Sequence, residues 1–136
     1  MYDEDKPDQV SRCRELNDQL RISMGQNDTK NIINLTAGLR SMGDEFVSAA
    51  LLAIREYDDF NSNNDPYAEH DIVFVVVHGQ KVMGKIDYYD NDLMLHSPDK
   101  TDPAVTKRVL TIMLASEYWC YKLIRKTIEL FDPAGR

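Results

Sequence analysis

The strongest constraint on this chain is an almost unbroken apolar run, Asp71 to Val77, closed by His78 and followed at once by Gly79-Gln80 and a second strand-like stretch, Lys81 to Tyr89. All of Ile72 to Val77 except Phe74 is β-branched, which favours a pleated backbone, and the run is too short for a helix. Glycine at the first place of a two-residue connection suits a tight hairpin turn, so the two stretches are predicted to pair antiparallel. A lone hairpin is marginal in water, and the rest of the chain has to cover it.

With Gly79-Gln80 as the turn, Ile72 faces Asp87, Phe74 faces Lys85, Val76 faces Met83 and His70 faces Tyr89. The opposite face pairs Asp71 with Tyr88, Val73 with Ile86, Val75 with Gly84 and Val77 with Val82, and its apolar character predicts that it meets the helices. The mixed face puts His70 diagonal to Asp87, and a histidine beside a carboxylate is the smallest unit of acid–base chemistry. An enzyme built here, a metal-dependent or histidine-assisted hydrolase or a nucleic-acid-processing activity, would use His70, Asp87, Glu69 and Asp65. No Ser or Cys nucleophile stands beside the pair in the sequence, so a structural hydrogen bond is the preferred reading and no catalytic residue is assigned.

Around the hairpin, Val10, Cys13, Leu16, Leu20 and Met24 recur at threes and fours and predict a helix from Asp8 to about Met24, ended by Gly25. Asn31 to Thr36 reads as a strand ending near Gly38, and Gly43 to Tyr57 as a helix burying Phe46, Val47, Ala50, Leu51 and Ile54. Leu93 to Leu95 suggests a short edge strand. Asp102-Pro103 has the form of an N-cap and first helical residue, and Val105, Val109, Ile112, Met113, Leu114, Tyr121, Ile124 and Ile128 then predict a long helix to about Leu130. The order α-β-α-β-β-(β)-α gives an α+β fold, a small antiparallel sheet packed against helices. Without repeats or a linker, residues 1–136 are expected to form one domain with a loose start at about 1–7.

Sixteen Lys+Arg against 23 Asp+Glu leave a net charge of -7, which disfavours direct binding of nucleic acid through its phosphates. The acids are concentrated. From Glu56 to Gln80 stand Glu56, Asp58, Asp59, Asp65, Glu69 and Asp71 with no Lys or Arg, whereas Lys107, Arg108, Lys122, Arg125 and Lys126 lie toward the other end. An acidic pole suits a protein partner with a basic surface. No apolar run approaches the ~20 residues of a membrane span, and the acidic start is unlike a signal peptide, so a cytoplasmic protein is expected, without a membrane role. Cys13 and Cys120 lack the spacing of a disulfide framework or zinc site and read as reduced packing residues.

Asp59, Asn61, Asn63 and Asp65 place oxygens at alternate positions, as the start of a calcium loop does, with Glu69 downstream. Asn64 stands at the glycine position, Pro66 interrupts the loop, and no helix follows. Ion-free turns are therefore the expectation, no cofactor is assigned, and calcium or magnesium is the alternative.

Four segments carry a resemblance: Asn63-Asn-Asp-Pro-Tyr-Ala-Glu-His-Asp71, Lys85-Ile-Asp-Tyr-Tyr-Asp90, Ser97-Pro-Asp99 and Thr106-Lys-Arg-Val-Leu-Thr-Ile-Met-Leu-Ala-Ser-Glu-Tyr118. Together they resemble an uncharacterised bacterial family, a domain of unknown function found mainly in alphaproteobacteria and their plasmids and phages. The resemblance implies no established reaction, cofactor or partner. Its association with mobile elements, joined to the acidic pole, leads to the expected function: a small non-enzymatic binding protein acting on a macromolecular partner. Host defence or regulatory proteins are such partners, among them a CRISPR effector with a basic channel that an anti-CRISPR-type inhibitor would fill. Asp58, Asp59, Glu69, His70, Phe74, Asp87 and Tyr89 are the expected binding residues.

Overall fold

The structure is a computed structural model that describes residues 7–118. In chain order it contains α1 (Pro7–Ser23), β1 (Ile32–Leu35), α2 (Ala37–Arg40), α3 (Asp44–Glu56), β2 (Ile72–Val77), β3 (Gln80–Tyr89), β4 (Lys107–Leu114) and a 3-10 turn at Ala115–Glu117. The strands form one four-stranded sheet in the order β1-β4-β3-β2. β3 runs antiparallel to both β2 and β4, and β1 lies parallel to β4. The fold is α+β, with a mixed sheet in place of the purely antiparallel one expected. No helix among the described residues is long and apolar enough to cross a membrane.

α3 buries Phe46, Ala50 and Ile54 against Val73, Val77, Val82, Ile86, Leu110 and Ile112 of the sheet, with Leu20 and Leu39 completing the cluster. Each such side chain contributes roughly 1.5–3 kcal/mol on leaving water. Gly84 allows this close approach: a Cβ there would lie 3.3 Å from Ile54. α2, which the sequence reading ran into a strand end, is a single turn capped by Thr36, whose hydroxyl accepts from the Leu39 amide at 3.2 Å. The Glu117 carboxylate accepts from the Thr36 hydroxyl at 2.7 Å and the Gly38 amide at 3.2 Å, tying the end of β1 to the residues after β4.

The hairpin pairs Ile72 with Lys85, Phe74 with Met83 and Val76 with Lys81, two residues out of step with the expected register. His78 and Gly79 make the turn with positive φ at both, 47° and 80°, the combination a type I′ connection requires, and glycine takes the second place. A slip of two leaves every side chain on its expected face. Val73, Val77, Val82 and Ile86 accordingly point to α3.

The long C-terminal helix is not formed over the described residues, because Lys107–Leu114 is β4, between β1 and β3. Arg108, Leu110 and Ile112 are buried on one face and Thr111 and Met113 on the other. A strand buried on both sides loses its alternation, and its apolar residues then also fall at threes and fours like a helical stripe. Asp102 closes a turn, accepting from the Ala104 amide at 2.9 Å, and does not start a helix. The remainder of the predicted helix, with Lys122, Arg125 and Lys126, lies outside the described residues, as does Cys120. Leu93 to Leu95 forms no strand. One isolated bridge joins Tyr89 to His96 beside it.

Candidate functional site

The connection from α3 to β2, residues 57–71, is built from its own short polar side chains. The Asn61 side-chain oxygen accepts from the amides of Asn63 and Asn64 at 2.9 and 3.2 Å, and Asn64 in turn accepts from the Asn61 amide at 2.9 Å. The Asn64 side-chain amide donates to the Tyr57 hydroxyl at 3.0 Å and the Asp59 carbonyl at 2.8 Å. Such Asx contacts replace the backbone partners a loop lacks. Asp65, buried, accepts from the amides of Glu69 and His70 at 3.1 and 3.2 Å. Several oxygens of the calcium-loop candidates are thus committed to amides, and Glu69 turns away to Tyr88. Among the described residues no group of three or more His, Cys, Asp or Glu is arranged to hold a metal ion.

Ala68 and His70 adopt positive φ, 57° and 56°, so the chain leaves the ladder path before β2 and His70 never reaches Asp87. Its Nδ1 lies 2.8 Å from Asp18 Oδ1, its Nε2 lies 3.5 Å from Asp65 Oδ2, and its ring stacks on Phe60 at 3.6 Å and 8°. Asp18 also accepts from Arg21 at 3.1 Å. Arg21, nearly fully buried, donates in addition to the carbonyls of Ile54, Arg55 and Tyr57 at 3.1, 2.9 and 2.9 Å. α1 therefore clamps both ends of the loop: Arg21 holds the C-terminal carbonyls of α3, and Asp18 holds His70.

A second polar cluster lies one turn earlier along α1. The Tyr88 hydroxyl donates to Glu69 Oε1 at 2.8 Å and accepts from Asn17 Nδ2 at 2.8 Å, with the Cys13 sulfur 3.4 Å away. Arg108 Nε donates to Asn17 Oδ1 at 2.7 Å, its Nη2 lies 3.6 Å from the Cys13 sulfur, and Nη2 also donates to the Lys100 carbonyl. Lys100 Nζ donates to Glu69 Oε2 at 2.7 Å. Ser97, Asp99 and Thr106 stitch the intervening loop: the Thr106 hydroxyl meets the Ser97 hydroxyl at 2.6 Å and donates to the Asp99 carbonyl at 2.6 Å.

Burial pushes the Glu69 carboxyl up, but hydrogen bonds from Lys100 and Tyr88 outweigh it and hold the group below its ordinary value. Burial, then the Cys13 thiol, drives the Tyr88 phenol far above its ordinary range, so it stays a donor. Asp71 goes the other way, raised by burial and then by the charge of Glu69. Tyr57 is raised by burial and then by Asp59, Asp58 and Asp65, a sign of the negative potential on this loop.

Two hollows flank the cluster. A groove of about 750 Å³ runs along α1 past Asp18, Gln19, Asn31 and Arg108, and a cleft of about 420 Å³ opens beside Tyr88, Glu69, His96 and Lys100.

The expected binding residues do not form one site. Asp58 and Asp59 are exposed on the loop, and Glu69 and His70 are tied inward beneath it. Phe74 and Asp87 occupy the other face of the sheet, Phe74 exposed with Lys81 5.5 Å from its ring and Asp87 buried 2.8 Å from Lys85. Tyr89 is half-buried at the end of β3. Sequence reasoning passed over Cys13 as packing and did not single out Asn17, Asp18, Tyr88, Lys100 or Arg108. A signal existed in α1. Asn17 and Arg21 interrupt the inward stripe at four-residue spacing from Cys13, and the structure buries them while leaving Val10 42% exposed.

The four segments quoted for the resemblance converge on this corner through Asp65, Glu69 and His70, Tyr88, Ser97 and Asp99, and Thr106 and Arg108. The family model described as a protein of unknown function (DUF3768) matches residues 35–117, and the chain belongs to that family. No curated protein and no solved structure matches it.

Proposed function

We propose that this protein acts by binding a protein partner with a basic surface, and that the outer side of residues 57–71 is the face it presents. One observation carries the reading: the loop turns Asp65, Glu69 and His70 inward and leaves Asp58 and Asp59 on its outer side. Both ring nitrogens of His70 face carboxylates and one ring face is covered by Phe60, an arrangement that fixes a backbone and leaves a base little room to reach a substrate. Asp58 and Asp59 are exposed on the same loop, and Tyr67 is 78% exposed. A fixed loop bearing an exposed tyrosine and two exposed carboxylates loses little entropy on docking and steers a cationic partner. A host defence or regulatory protein with a nucleic-acid-binding surface, including a CRISPR effector met by a mobile element, fits that chemistry.

A photo-crosslinking residue at position 67, expressed in host cells, tests the reading. One partner is expected, lost on Asp58→Lys/Asp59→Lys and weakened by salt. Glu69 is unsuitable for charge reversal because it lies in the buried cluster. Turnover of a phosphoester or peptide that disappears in a folded His70→Ala chain would overturn the proposal and restore the hydrolase.

A further inference from the structure

We infer that the cleft beside Tyr88 is a binding site for a primary ammonium or guanidinium group, which Lys100 fills from within. Recognition of such a cation needs a carboxylate held in place, an aromatic face and partial exclusion of water. Glu69 supplies the first. The Tyr88 hydroxyl fixes Oε1 at 2.8 Å, and Oε2 receives Lys100 Nζ at 2.7 Å. Tyr88 supplies the second, its ring centroid 5.4 Å from the same Nζ. Burial supplies the third, since the Glu69 side chain is only 14% exposed. The cleft of about 420 Å³, walled by Gln9, Val10, His96 and Pro98, leaves space for an incoming side chain or small amine.

Lys100 is a replaceable occupant. Its side chain is 44% exposed and rises from a turn closed by Asp99, whose carboxylate accepts from the Thr101 amide at 3.0 Å. Glu69 is held and largely covered but the ammonium end is open to solvent, so keeping the long Lys100 side chain in place costs rotamer freedom and a competing cation can take its position. The backbone does not depend on it: Arg108 grips the Lys100 carbonyl and Asn17 holds the Tyr88 hydroxyl. When the Lys100 side chain swings out, carboxylate and ring stay where they are. A lysine or arginine from a partner would enter the vacated place. Only this choice of source rests on the proposed function.

The test titrates the full chain and its Lys100→Ala variant with n-butylammonium chloride, with the peptide acetyl-Gly-Lys-Gly-amide, and with neutral n-butanol, following backbone and Tyr88 ring shifts by NMR. An internal occupant taxes external affinity by the fraction of time it fills the site, so Lys100→Ala is expected to bind both cationic probes about tenfold more tightly. Shifts should centre on Glu69, Tyr88 and His96, and butanol should leave them unmoved. A tighter peptide than amine assigns the site to a partner side chain, and equal affinity assigns it to a small amine. A comparable response to butanol, or a Lys100→Ala chain that binds no more tightly than the parent, overturns the inference. Adding Glu69→Gln should abolish binding; the butanol arm decides the matter if that chain does not fold. Loss of Asp58- and Asp59-dependent crosslinking would leave this titration unaffected, so the two readings fail separately.

Discussion

The two sides of α1 and α3 are held to the sheet by different physics. Beneath α3 lies an apolar core in which Ile54, Ile86, Leu110 and Ile112 are at most 2% exposed and meet by packing alone. Beneath α1, Leu20 and Cys13 share that depth with the polar Asn17, Arg21 and Arg108, at 0%, 4% and 2% exposure. Packing is non-directional and degrades with each methylene lost, whereas a buried polar cluster holds only while every member keeps its partner. The core thus sets how stable the fold is, and the polar corner sets where residues 57–71 and 97–106 stand.

Leu110→Ala should show the largest effect, about 2–5 kcal/mol in a urea melt, as a cavity opens beneath α3. A cost under about 1 kcal/mol would mean that the sheet and helix are not closely packed there.

Arg108→Met comes next. It strands Asn17 Oδ1, a buried acceptor whose loss of its donor costs about 1–3 kcal/mol, and frees the partly exposed Lys100 carbonyl to water. Arg108→Met and Asn17→Ala should be non-additive by roughly 0.5–3 kcal/mol, whereas Leu110→Ala combined with Lys100→Ala should add. Simple additivity within the polar corner would dissolve the contrast between the two regions.

Glu69 and Asp71 provide a smaller and sharper comparison, because their carboxyls are displaced in opposite directions. The folded value of Glu69 is depressed, so its contribution is present at neutral pH and is lost as pH falls below its ordinary value near 4.5 and through the folded one. The folded value of Asp71 is raised, so its charge opposes folding at neutral pH, and that opposition fades as pH falls through the raised value. Glu69→Gln should flatten the acid limb of a stability–pH curve, and Asp71→Asn should steepen it. Identical limbs in the two variants would remove the assigned environments.

Asp58→Lys marks the lower limit, expected within about 0.5 kcal/mol of the parent because the side chain is exposed. A loss of several kcal/mol would show that the outer face of the loop is structural.

Much of the fold was legible where one periodicity prevails. α3 and the hairpin strands carry patterns with a single interpretation, and the two hairpin faces were right even though the turn was placed one residue late. β4 was misread because burial on both sides erased the alternation that marks a strand. The candidate site was only half legible. Asp65, Glu69 and His70 stood out as a chemically loaded stretch, but their partners Asp18, Tyr88 and Arg108 lie far along the chain, and no spacing rule joins them.

The sequence by itself determined the α+β class, the hairpin, its buried face and the acidic character of residues 56–71, because these depend on neighbours within a turn of helix or two strands of a ladder. Only the tertiary structure decided that β1 docks parallel on β4, that His70 turns to Asp18 and not to Asp87, and that Glu69 meets Tyr88 and Lys100. Those outcomes depend on which distant segments share a buried corner. The pairing there follows from the need to satisfy buried polar atoms, met among the described side chains by all but Arg21 Nε, and that condition acts through space and leaves no period in the chain.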